Sequence, residues 1–270
     1  APANSYYLCG FELHDTQCNE SSGVLLLRLD APDALFTDSR FEETATKCLG
    51  TESVVIYRRR KDLTTILCDL GVAELWVEED ALCVREHRTL AEKIQLHAAP
   101  PLVEDMRRIK SAEEIALLRA SCAVNHRVFA MVPEMLRHGM TEAELAWVLE
   151  RSFREAGAEA LSFPTIVGFG PNGAAAHAIP GNTALVPETP VLVDMGCRLQ
   201  DYCSDQTRSF WFGHHPSPEF SRALGLVQEA QAKAIEAIAP GVSCAEVDHI
   251  AREFLALLGV AEHFRHSLGH

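Results

Sequence analysis

The sequence lacks the features that would place it against nucleic acid, inside a lipid bilayer or in an oxidising compartment. Basic residues are in deficit, with 24 Lys and Arg against 38 Asp and Glu, a formal net charge of −14. A phosphate backbone or an anionic membrane surface needs a basic face to neutralise it, so neither is an expected partner. No run of 18 apolar residues occurs, and no membrane span is expected. Residues 1–10 have neither the basic nor the apolar region of a signal peptide. The first residue is Ala1 rather than Met, so the numbered chain is expected to begin downstream of the gene's start. There is no C-x-x-C motif, no internal repeat and no low-complexity tract. The nine cysteines are odd in number and scattered, which suits free thiols in the reducing cytoplasm rather than a disulfide framework or a thiolate zinc site.

What is present reads as two regions. From Val24 to about Val84, short strands alternate with helices. Val24–Leu29 and Ala34–Thr37 are strand-like runs joined by a turn at Asp30–Asp33, and a hairpin is expected. Asp38 is a candidate cap for a helix near Phe41–Cys48. Val54–Tyr57 and Leu75–Val77 are further strands, and Leu63–Leu70 is a helix stopped by Gly71. Such alternation implies an α/β domain. Ala98-Ala99-Pro100-Pro101 is the best linker, giving domains over 1–98 and 102–270.

In the second region Ser111 to Glu114 is a capping-type start for a long apolar-periodic helix over Ile115–Leu136, which Pro133 is expected to kink or break. Thr141 with Glu144 is a capping box for a helix reaching Ala156. Strand runs follow at Thr165–Val167 and Val191–Asp194, then extended chain over Gln200–Phe212. Helices are expected near Pro218–Ala239 and Cys244–Leu258. This region is α+β.

Five side chains carry candidate chemistry. Asp194 directly follows a buried strand, where a carboxylate is costly unless paired or bound to a cation. Asp205 lies eleven residues on; two such carboxylates on neighbouring strands repel until a metal ion removes the repulsion. Taken singly, each is equally at home in a turn or a cap. His266 and His270 are four apart, but Gly269 argues for a turn or strand rather than one helix face. Histidine is the commonest metal ligand and a usual proton donor, while a lone terminal histidine is also simply an exposed one. His177 emerges from the turn-rich run Gly168–Ala176, where a solvated loop histidine is the plain alternative. His214-His215, ahead of Pro216, reads as a solvated turn.

In combination and in this order, the segments Phe163–Gly173 with His177, Val193–Gly196, Tyr202–Arg208 and His266–His270 resemble the proline-peptidase branch of the methionine aminopeptidase/creatinase superfamily, metallopeptidase family M24. Asn4–Phe11 and Leu35–Arg40 look like that branch's N-terminal domain. The resemblance implies an α/β creatinase-like N-terminal domain followed by an α+β pita-bread catalytic domain, incomplete at its C-terminus. It implies that Asp194 chelates one divalent ion, Asp205 bridges two and His270 ligates the second. It places His177 and His266 at the substrate, touching the scissile amide or the tetrahedral intermediate. The implied reaction is two-metal hydrolysis of the bond before proline, with a hydroxide shared between the ions as nucleophile. Oxygen-rich ligands with one histidine suit Mn²⁺, with Co²⁺ or Zn²⁺ as alternatives. Proline-containing peptides are the implied partners, and a homodimer is a family habit.

The sequence departs from this pattern at its end. The family's site has five protein ligands, two of them glutamates beyond the histidine, and this sequence stops at His270. The expectation is a piece of a longer chain, truncated at both ends. On its own, with three of five ligands and without the glutamate general base, it is expected to bind metal weakly and hydrolyse little. Two other functions share the architecture: a creatinase-type amidinohydrolase, which does not use the metal ligands retained here, and a non-catalytic pita-bread binding module.

Overall fold

A computed structural model describes residues 1–15, 20–59 and 62–269; Cys18 and His270 fall outside the described residues. The chain divides into two units, Ala1–Ser111 and Ala112–His270.

The first unit opens with a helix the sequence reading did not expect, α1 (Pro2–Cys9), with Pro2 in its first turn and Gly10 closing it at φ 71°. Short strands β1 (His14–Asp15) and β2 (Glu20–Ser21) pair antiparallel. The expected hairpin forms from β3 (Gly23–Leu26) and β4 (Ala34–Thr37). β3 ends three residues earlier than its apolar run. There Asp33 takes the Arg28 N–H (3.0 Å) and the Pro32 carbonyl takes Arg28 Nε (2.6 Å), so the turn captures backbone that the ladder would need. Helix α2 (Glu42–Leu49) follows, with Phe41 rather than Asp38 at its N-cap position. Asp38 lies too far upstream to cap; its carboxylate accepts the Arg40 N–H (2.8 Å) and pairs with the Arg40 guanidinium. β5 (Val54–Ile56) then adds parallel to β4. α3 (Leu63–Asp69), β6 (Glu74–Val77), α4 (Val84–Ala91), β7 (Gln95–Ala98) and α5 (Leu102–Arg108) complete the unit, with β6 and β7 parallel. Leu26, Phe36, Leu67 and Ile94 meet in its main core, and Phe11, Leu13 and Leu35 in a second cluster.

The second unit begins with α6 (Ala112–Met135). This helix is long and apolar enough by composition to cross a bilayer. Its buried positions, Ser121, Val124, Asn125, Val128, Phe129 and Val132, nevertheless recur at intervals of three and four, the one-sided stripe of a helix packed on a core. Pro133 does not break it: the proline falls in the last turn, and the helix stops two residues later. α7 (Glu142–Glu155) starts at the expected box, with the Thr141 hydroxyl accepting the Glu144 N–H (3.2 Å) and the Glu144 carboxylate accepting the Thr141 N–H (2.8 Å). β8 (Ala160–Leu161), β9 (Ile166–Phe169), β10 (Thr189–Met195), β11 (Cys197–Leu199), β12 (Tyr202–Cys203) and β13 (Gln206–Phe212) form two antiparallel sheets, ordered β13-β10-β9 and β12-β11-β8. Val128 and Val132 of α6, Leu145, Leu149 and Phe153 of α7, and Val191, Val193 and Met195 of β10 make one core. α8 (Pro218–Glu236) and α9 (Cys244–Leu257) pack on each other through Ala230, Ala234, Ala251 and Leu255. Their N-caps are Ser217 and Ser243, whose hydroxyls accept the Phe220 and Glu246 N–H groups (3.1 and 3.2 Å).

Candidate metal centre

Strand alternation decides which way Asp194 faces. Val191, Val193 and Met195 are buried in the core, so the intervening residues of β10, Asp194 among them, point to the opposite face. In the antiparallel ladder Asp194 stands opposite Thr207 on β13 and Ile166 on β9. Asp205 lies just ahead of β13, two residues before Thr207. The two carboxyls meet. Burial is the main cause that pushes the Asp194 carboxyl above the usual carboxylate range. A hydrogen bond with Thr207 opposes that push, the charge of Asp205 and a hydrogen bond with its side chain add to it, and the field of His177 works against it. Asp194 and Asp205 are thus neighbours, and His177, carried by a different segment, is near enough for its charge to be felt at Asp194.

The spacing of the two aspartates is set at Gly196, between β10 and β11. A Cβ there would collide with the Ser204 carbonyl oxygen and stand 2.9 Å from Ser162 Oγ. The close approach lets Ser162 Oγ donate to the Ser204 carbonyl (2.7 Å) and Ser162 N–H to the Gly196 carbonyl (3.1 Å). From α6, fully buried Ser121 donates to the Cys197 carbonyl (2.9 Å) and Asn125 Nδ2 to the Met195 carbonyl (3.0 Å). Backbone on both sides of Gly196 is therefore tied to a helix in the core, and Asp194 and Asp205 inherit that rigidity. Ser204 lies in the Tyr202–Arg208 segment already singled out, but Ser162, Ser121 and Asn125 did not stand out in the sequence. The signal was there for two of them, since Ser121 and Asn125 interrupt the apolar stripe of α6 one turn apart.

His177 sits on the loop between β9 and β10 and is exposed. The stretches before and after His177 in that loop come back to Glu142, the first residue of α7, which sequence reasoning also passed over. Its carboxylate is 1% exposed and accepts the Phe169 N–H (2.8 Å), Asn172 Nδ2 (2.9 Å) and the Gly181 N–H (3.1 Å).

His266 lies beyond α9 and is exposed. Its Nδ1 is 2.8 Å from the Ser267 carbonyl oxygen, and its ring meets Phe264 edge-on at 4.9 Å. Arg252 on α9 donates to the carbonyls of Phe264 (3.0 Å) and His266 (2.6 Å), and Asp248 accepts from Arg252 (2.6 Å) and from the Leu268 N–H (2.9 Å). The His266 side chain thus interacts within its own segment, while its backbone is held by Arg252 of α9. Among the described residues no group of three or more His, Cys, Asp and Glu side chains is gathered as a metal site, and His270 is not among them.

The aspartate pair fits a divalent cation. Asp194 Oδ1 is buried and has no hydrogen-bond partner among the described residues, which leaves a hard oxygen donor aimed at the space shared with a second carboxylate. An oxygen-preferring cation there would satisfy the orphaned atom and cancel the repulsion.

Comparison with known proteins agrees with this geometry. Residues 116–270 match metallopeptidase family M24, and residues 1–109 match the creatinase/prolidase N-terminal domain. An uncharacterized peptidase of Staphylococcus aureus (strain USA300) is 30% identical over 272 residues, spanning 100% of this chain and 76% of its own length. The crystal structure of the prolidase from Pyrococcus horikoshii OT3 superposes with a TM-score of 0.89 at 28% identity, covering 100% of this chain and 75% of that one. The X-Pro aminopeptidase from Thermotoga maritima MSB8 gives a TM-score of 0.78 at 28% identity, covering 97% and 73%. The chain belongs to metallopeptidase family M24, whose members use divalent metal ions, and carries a creatinase-type N-terminal domain ahead of its catalytic domain.

Proposed function

We propose that the protein is an Xaa-Pro peptidase that hydrolyses the bond between an N-terminal residue and proline, in dipeptides or at the start of longer peptides. The observation that carries this reading is the buried, unpartnered oxygen of Asp194 on β10, with the Asp205 carboxyl close beside it. It is supported by the similarity to a prolidase and an X-Pro aminopeptidase. In this reading Asp194, Asp205 and His270 hold two divalent ions, with Mn²⁺ the preferred metal for such donors. When bound, the ions supply a water of lowered pKa and stabilise negative charge as it develops. Asp205, nearer the chain turn, is the shared ligand, and Asp194 is fixed by its strand. His177 and His266 line the substrate site, where an imidazole N–H donates to the scissile amide or to the oxyanion formed from it. A buried charge pair without cations would be costly, which ties the site's integrity to metal loading.

The test is hydrolysis of Ala-Pro, Ala-Pro-Ala and Ala-Ala-Ala by the full-length gene product with Mn²⁺. Cleavage of Ala-Pro alone identifies a dipeptidase, and cleavage of Ala-Pro-Ala identifies an aminopeptidase. Cleavage of Ala-Ala-Ala and neither proline peptide rejects the proposal.

A further inference from the structure

A carboxylate buried as deeply as that of Glu142 is expensive unless donors replace its lost water. Here three donors do so, and they come from two separate points of the chain: Phe169 and Asn172 where the β9–β10 loop leaves the sheet, and Gly181 on the far side of His177. The N-terminus of α7, where Glu142 stands, adds the favourable end of the helix dipole. The same corner is stitched by backbone. Glu142 N–H donates to the Thr183 carbonyl (3.2 Å) and Ala143 N–H to the Gly181 carbonyl (3.0 Å), while Asn172 Nδ2 reaches Thr183 Oγ1 (3.0 Å). At the outgoing end a Cβ on Gly168 would collide with Gly173, so the loop doubles tightly back on its strand. His177 lies between the two anchored points, and it is the residue of this loop whose charge acts on Asp194.

We propose that Glu142 is a positioning residue for His177: one buried carboxylate ties Phe169 and Asn172 to Gly181 and thereby fixes the segment that carries the imidazole. The role of His177 at the substrate rests on the peptidase reading above; the fixing of its segment by Glu142 does not. Glu142→Gln keeps the shape but presents an amide N–H where a neighbouring backbone N–H needs an acceptor, so one anchor is lost while the fold is retained.

The experiment uses the full chain. Amide hydrogen exchange is followed by mass spectrometry, and the His177 imidazole Cε1–H resonance, assigned by its loss in His177→Asn, is followed by NMR in the metal-free protein. Glu142→Gln is expected to speed exchange of peptides spanning 169–181 about tenfold or more while those of β10 and β13 hold, and to shift the His177 resonance. In the active protein kcat falls about tenfold, and Mn²⁺ affinity measured by calorimetry is retained. Asn172→Ala removes one donor at an exposed site and is expected to move the same signals in the same direction by less; it serves as the test if Glu142→Gln does not fold. An unmoved His177 resonance with unchanged exchange over 169–181 overturns the proposal. Moved signals in a protein that cleaves no proline peptide would reject the peptidase reading and leave the positioning role standing.

Discussion

Asp194 stands in β10 opposite Thr207, and Asp205 lies just ahead of β13, near enough that its charge adds to the burial that raises the Asp194 carboxyl. A divalent cation between two carboxylates removes their repulsion and a proton on either one does the same, so cation and proton compete for the same place. Asp205→Asn removes one claimant. It is expected to weaken Mn²⁺ binding by at least about 100-fold, read by calorimetry, and to abolish turnover. Retained turnover would remove the metal role of this residue.

In metal-free protein the same pair is a source of instability. Asp194→Asn deletes a half-buried charge that burial and Asp205 both disfavour. We expect the melting temperature in excess chelator at neutral pH to rise, by up to about 1 kcal/mol of stability after solvent screening. A lower melting temperature would show that Thr207 and His177 more than compensate the charge.

Gly196 admits the Ser204 carbonyl where any side chain would stand. Gly196→Ala forces β10 and the Ser204 segment apart, with an expected loss of about 1–3 kcal/mol in chemical denaturation. Because Asp194 and Asp205 flank the displaced backbone, Mn²⁺ affinity should fall alongside stability. Unchanged affinity would mean that the clamp serves the fold alone.

The segment carrying His266 hangs on Asp248 and Arg252. Their hydrogen bond, with help from the Leu268 N–H, holds the Asp248 carboxyl below the usual range. A depressed carboxyl stabilises the folded state above its unfolded pKa, about 3.9, and that contribution is lost as pH falls through the lower folded value. Exchange over 264–268, taken relative to the intrinsic rate of a free amide at each pH, should therefore accelerate on acidification below about pH 4. In Asp248→Asn it should be fast already at neutral pH and lose this acid step; an acid step that survives in the variant assigns it to another group.

Much of this architecture could be read from the chain because local signals and burial agree. The Thr141 and Glu144 box starts α7, and serine caps begin α8 and α9. The apolar run ending in Asp194 marked a strand, and the burial of Val191, Val193 and Met195 adds the face its carboxylate takes. What escaped reading depends on partners distant in sequence. Glu142 and Glu144 sit in the same turn, yet one caps its own helix and the other turns inward, because only the fold brings residues 169–181 to it. Ser121 and Asn125 are ordinary helix residues until β10 and β11 lie beside them. β7, with Gln95 and His97 among its residues, has little strand character of its own and is held by parallel pairing with β6. Asp38 illustrates the opposite error, a good cap type one short step too early, claimed by Arg40.

The connection between the two aspartates also has one place where its length is free to vary. Residues 197–203 form the short hairpin of β11 and β12, with Gln200 and Asp201 at its tip in left-handed backbone, while β13 takes its register from its own ladder with β10. Insertions at that tip should therefore survive whether odd or even in number, whereas an insertion between Tyr202 and Gln206 acts on Asp205 directly.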